Sequence, residues 1–178
     1  MTKELIIKKL SSNHHEFVEL LFSLTENEFT LSPNNKWTAG QHFEHIYLSV
    51  SPLTKALKLH GLLLKLIFGK ANRPSKDYNE LIKKYHDKLE KGGTASGRFI
   101  PKRIAFEERE QLKRKLLLTV EQLCKAVDGY TESKLDQYIL PHPLLGKLTI
   151  REMLYFTLYH VGHHKKLVLQ SAGKVESD

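Results

Sequence analysis

The chain has 178 residues, of which 40% are hydrophobic and 27% charged, with a formal net charge of +8 and a single cysteine. That length suits one domain over residues 1–178, which buries roughly 70% of the surface its extended chain would expose. Neither a disulfide nor a metal is then required to build a core, so a bound metal would serve function before structure. A lone Cys124 excludes an internal disulfide and fits a reducing compartment.

Met1 to Lys9 is basic but lacks the apolar run of a signal peptide. The most apolar stretch, Leu57 to Phe68, is broken by Lys58, His60 and Lys65 and falls short of the roughly 20 residues that cross a bilayer. The expectation is a soluble cytoplasmic protein. The positive charge permits attraction to polyanions. Its lysines are scattered, however, as Lys8-Lys9, Lys83-Lys84, Lys113, Lys115 and Lys165-Lys166, with no zinc-finger spacing, phosphate loop or RNA-binding aromatic motif. Solvated helix faces account for this pattern better than specific nucleic-acid binding does.

In chain order, Phe17, Leu20, Leu21 and Leu24 recur at helical spacing and predict a first helix over Leu5–Glu28, with a candidate interruption at Ser11-Ser12-Asn13. Leu31 to Asn35 is a turn cluster. Thr38 followed by Gln41 forms a capping box that opens a second helix carrying Phe43, Ile46, Tyr47 and Val50. Pro52 predicts a kink or break before helical pattern resumes to about Ile67. Gly69 to Pro74 ends that segment, and Ser75 to Glu90 reads as a short polar helix or crossover. The glycine cluster from Gly92 to Gly97 lacks the lysine of a phosphate loop and follows no strand, so it reads as a flexible loop.

A third long helix is predicted over Phe106–Val127 through Leu112, Leu116, Leu123 and Val127. Leu135 to Ile139 is a short connector, and Pro141, Pro143 and Gly146 predict a constrained loop. Thr149 and Glu152 then supply a second capping box for the last helix, and Ser171 to Asp178 reads as a frayed tail. Long helical patterns and scarce strand signals select an all-α bundle. The stretch from Gly69 to Arg103 is long enough to be a crossover between the second and third main helices.

The chemistry-bearing feature lies in the last helix. His160 and His164 are one turn apart, so both imidazoles can face one point. A third ligand is available from Trp37 to Ile46, where His45 is best placed and His42, one turn earlier, approaches the same face as a ligand or substrate contact. His163 points about 100° away from His164 around the helix and belongs to an outer shell or the rim. Three neutral imidazoles would suit Zn²⁺, Ni²⁺ or Fe²⁺ and leave coordination positions open. The same spacing also fits hydrogen-bonded core histidines, exposed histidines or a pH-sensitive cluster.

Two segments together resemble the DinB-like superfamily of four-helix bundles, which also includes YfiT-like proteins and bacillithiol or mycothiol transferases. One is Lys36-Trp37-Thr38-Ala39-Gly40-Gln41-His42-Phe43-Glu44-His45-Ile46. The other runs from His142 through Thr149 and Glu152 to Tyr159-His160-Val161-Gly162-His163-His164. The resemblance extends over most of Leu5 to Leu169 and implies a DinB-like four-helix bundle with metal ligands His45, His160 and His164. Many relatives carry glutamine just after the histidine pair, where Leu167 stands here. That departure removes no ligand, but it separates the surroundings of the pair from the family pattern.

The implied function is a divalent-metal-binding protein, either a metal-dependent hydrolase or a thiol-S-transferase, with a small-molecule substrate or thiol cofactor as partner. A metal could deprotonate a bound thiol or activate water. His42 or Glu44 is a conceivable outer-shell base, although Glu44 can face away; no catalytic residue is assigned. Cys124 is a poor nucleophile candidate, and no serine–histidine–acid or cysteine–histidine set accompanies it. The rival classes are a non-catalytic metal or small-ligand binding protein and a basic interaction module. An exposed bundle face would also support a homodimer.

Overall fold

The computed structural model describes residues 1–32, 36–59 and 61–174. Helix starts follow capping chemistry. Thr2, Thr25, Thr38, Asp77, Thr131 and Thr149 sit in extended backbone and accept an N–H from three residues on. The resulting helices are α1 (Lys3–Phe22), α2 (Glu26–Thr30), α3 (Ala39–Leu57), α4 (Gly61–Phe68), α5 (Tyr78–Glu90), α6 (Arg109–Asp128), α7 (Glu132–Gln137) and α8 (Ile150–Ser171). The expected reciprocal boxes Thr38/Gln41 and Thr149/Glu152 are both made.

Four of these helices form the bundle. α1 packs against α6 and α8, and α3 packs against the same two, around one connected core that includes Phe17, Phe43, Leu116 and Leu154. This all-α architecture brings the start of α3 beside the middle of α8. A long crossover, as expected, separates α3 from α6 and carries α4 and α5, with α5 packed on α8. Among the described residues, no helix is long and apolar enough to cross a membrane.

Several local expectations are corrected. The first helix is uninterrupted at Ser11–Asn13 and ends at Phe22, because Thr25 and Glu28 cap a separate α2. Pro52 does not break α3: Val50, Leu53, Thr54 and Leu57 are buried on both sides of it, and their packing holds the helix through the missing N–H. The turn predicted over Leu31 to Asn35 lies in part, and the last four residues of the predicted tail wholly, outside the described residues.

The predicted loop around Pro141 is instead a hairpin. β1 (Ile139–His142) pairs antiparallel with β2 (Gly146–Thr149), with His142 opposite Gly146. Gly146 has φ +79, a left-handed turn conformation that glycine adopts without a Cβ clash. His142 Nδ1 accepts the N–H groups of Leu144 and Leu145, each at 3.1 Å, and so shapes the turn. Pro141 is tolerated because a two-stranded hairpin consists of edges.

A buried carboxylate fastens the crossover to this frame. Glu152 is 0% exposed, and its oxygens accept two guanidinium bonds from Arg73 (2.6 and 2.9 Å) and N–H bonds from Lys76 and Thr149 (both 2.8 Å). Burial pushes its carboxyl up. The Arg73 guanidinium and the two backbone N–H groups outweigh that and hold it below the ordinary range.

Candidate metal centre

The Thr38 cap fixes where α3 begins, so His42 and His45 emerge in its first turns on the side facing α8. His160 and His164 meet them from α8, and all four rings are buried. His160 Nε2 stands 3.2 Å from His45 Nε2 and 3.0 Å from His164 Nε2. One ring nitrogen from each of His45, His160 and His164 lies within 4.8 Å of the other two, a group capable of holding a metal ion. Tetrahedral coordination at the usual Zn–N length would space such nitrogens about 3.3 Å apart. The donor set therefore fits an ion of this kind.

The surroundings prepare the rings for that role. His45 Nδ1–H donates to the Phe99 carbonyl at 2.7 Å, which leaves Nε2 unprotonated on the side of the trio. His164 Nδ1 lies 2.7 Å from His42 Nδ1. When His164 donates there, its Nε2 is free to ligate and His42 acts as the outer acceptor. Trp37 stacks on His164 with a 15° interplanar angle, and Phe156 stacks on His160 at 4.7 Å. These contacts fix ring planes as well as ring positions.

Electrostatics keep the rings neutral. Burial, reinforced by the neighbouring histidines, holds His160 and His164 well below the ordinary imidazole value. Burial lowers His42 to about 4, with His45 and His163 adding to the effect. It also lowers His45, against the opposing bond to the Phe99 carbonyl. Lone pairs are thus present at neutral pH without a proton to displace.

The trio opens onto a cavity of about 840 Å³, large enough for a small-molecule ligand. His163 lines it half-buried and stacks on Tyr159, outside the close trio. Leu167, three residues after His164, contributes apolar wall. Glu44 faces away: its carboxylate accepts the Lys102 backbone N–H at 2.5 Å. Cys124 is half-buried beside the Ile7 carbonyl, and burial pushes its thiol up, which suits packing rather than attack.

Other lining groups were not anticipated from the sequence. Tyr85 on α5 places its ring edge-on to His160 and His163, with burial pushing its phenol up to about 12. Its spacing from Leu81 and Leu89 is the signal that could have marked it as inward-facing. His14 borders the same cavity, fully buried in the apolar stripe of α1. Its Nδ1–H donates to the Leu10 carbonyl at 2.7 Å, and its Nε2 has no partner among the described residues.

His14 also yields a test of folding energetics. Burial lowers it to about 4 from an ordinary 6.5; the Leu10 bond opposes that and His15 adds to it. The unfolded chain therefore takes up a proton at this residue before the folded one does. Its contribution to stability is complete above pH 6.5 and is lost as pH falls towards 4. Between pH 7 and pH 4.5 the loss comes to about 2–3 kcal/mol. His14→Leu should flatten the pH dependence of urea unfolding by that amount; parallel curves for both proteins would contradict the assignment.

A helical bundle that gathers three buried imidazoles beside an open cavity defines a class of proteins with a metal-capable histidine centre. The chain belongs to the DinB superfamily, whose sequence profile matches residues 9–168. It is also similar to YuaE, an uncharacterized protein of Bacillus subtilis (strain 168). The two are 32% identical over 71 residues, which cover 40% of this chain and 41% of that protein. No solved structure matches the chain.

Proposed function

We propose that this single-domain protein binds one divalent ion (zinc, nickel or iron) through His45, His160 and His164 and catalyses transfer of a small thiol to an electrophile. The observation carrying this reading is a neutral imidazole trio facing a cavity that no Asp or Glu lines among the described residues. A bound divalent ion supplies the positive charge that lets a thiol lose its proton near neutral pH.

This chain's residues do the rest. His45 is held by the Phe99 carbonyl and His164 by His42, so the ligating face stays set while substrates exchange. Trp37 and Phe156 cover one face each of His164 and His160. A hydrolase would need a base to take a proton from water. Glu44 is turned to Lys102, and His42 is committed to His164. Thiol transfer needs less from the protein, since a thiol is far more acidic than water. In the net reaction the S–H proton passes to solvent, a sulfur–carbon bond forms, and the leaving group departs with its electron pair.

The test uses protein purified without a histidine tag. Metal content is measured, then small thiols are assayed with 1-chloro-2,4-dinitrobenzene, following thioether and chloride release. The expected result is metal-dependent turnover that disappears on chelation and in His160→Ala. Ester hydrolysis without thiol turnover would move the assignment to a hydrolase. A stoichiometric metal without either activity would make the protein a metal-binding one.

A further inference from the structure

The charge around the cavity is one-sided. Lys36, Lys55 and Arg98 line it, all three exposed, and no carboxylate does so among the described residues. Two of these cations adjoin, in sequence, residues that contact the histidines. Arg98 lies over the Phe99 ring at 5.1 Å, beside the carbonyl that holds His45. Lys36 precedes Trp37, which stacks on His164.

The remaining walls are largely apolar, with Ile46, Leu53, Phe68, Leu140, Met153 and Phe156 among them. Lining positions extend along α3 from His42 to Ala56, about 20 Å at the helical rise of 1.5 Å per residue. A ligand matched to this space has an elongated apolar body. Its polar end meets cations and no acidic partner among the described residues, which disfavours a cationic head and favours an anionic one.

We infer that the cavity takes an amphipathic organic anion, its negative group at the histidine end near Lys36 and Arg98 and its apolar body along α3. The inference rests on the reading of this cavity as the substrate site and names the class of molecule that occupies it. The imidazole trio alone would accept many small ligands; the cations and the apolar length select among them. The chain's overall charge of +8 adds long-range attraction for the same species.

Trp37 is the sole tryptophan and lines the cavity, so its emission reports occupancy. Dodecanoate, dodecyltrimethylammonium and acetate are titrated below micellar concentrations into the full chain, both stripped of metal by chelation and supplied with zinc. Dodecanoate should give a saturable change at one site per chain. The cationic amphiphile and acetate should each bind at least tenfold more weakly. Combined Lys36→Gln and Arg98→Gln should weaken dodecanoate at least tenfold; both residues are exposed, and circular dichroism checks that the helices are intact.

Equal binding of the two amphiphiles, or no loss in the double variant, would overturn the inference. Zinc binding with no dodecanoate response would overturn it too while leaving the metal assignment standing. Charge-dependent dodecanoate binding to a chain that takes no zinc would uphold it and remove only the metal.

Discussion

Replacing His45, His160 or His164 with alanine should each lower divalent-metal affinity by on the order of several hundred-fold. Structural zinc sites yield about 10–16 kcal/mol overall, so each protein ligand carries roughly 3 kcal/mol or more. The three nitrogens converge within 4.8 Å, and loss of any one leaves only a pair. His42→Ala should cost less, about 10–100-fold, because it removes the acceptor opposite His164 Nδ1 and not a ligand. His163→Ala should change affinity least, since that ring stacks on Tyr159 outside the trio.

The pH profile gives a second readout. Burial holds His45, His160 and His164 below the ordinary imidazole value of 6.5, so protons compete with metal only at lower pH. Affinity should stay flat from pH 7.5 through 6.5 and fall below that. Calorimetry against a competing chelator measures both effects. Unchanged affinity in all three ligand variants would reject the set, and a midpoint at the ordinary imidazole value would reject the electrostatic account.

What the sequence made legible was local. His160 and His164 were readable because a helix brings residues one turn apart onto one face, and Thr38/Gln41 because a capping box needs only four residues. Placing His45 with that pair required the arrangement of separate helices: its position in the Trp37–Ile46 segment made it the best-placed candidate, and the family resemblance implied the full set. The Phe99 carbonyl was invisible, since any backbone carbonyl can accept and this one is 54 positions from His45. His14 was hidden by its own stripe, where hydrophobic neighbours made a polar ring read as filler. The hairpin at Ile139–Thr149 was missed because its prolines are strong turn signals, and nothing local shows that they sit on an edge.

Glu152 shows the same limit at the level of energetics, because its capping role was legible while its partner Arg73, 79 positions away, was not. Arg73→Ala should destabilise the fold at pH 7 by about 3–5 kcal/mol, the usual consequence of stranding one member of a buried ion pair. The carboxylate is fully buried and would retain only the Lys76 and Thr149 N–H groups, whereas Arg73 is partly exposed and its removal costs little solvation. In the wild type the folded carboxyl titrates below its ordinary 4.5, so its stabilising effect is present above that pH and lost as pH falls through the lower folded value. Without the guanidinium, burial dominates and raises the folded carboxyl, so mild acid neutralises it and relieves the stranded charge. The stability gap between Arg73→Ala and wild type should therefore narrow from pH 7 to pH 4, and Glu152→Gln added to Arg73→Ala should recover part of the loss at pH 7. Urea unfolding of the four proteins measures this cycle. A gap below about 1 kcal/mol at pH 7, or one independent of pH, would mean that the crossover is held to α8 by packing and not by this buried charge.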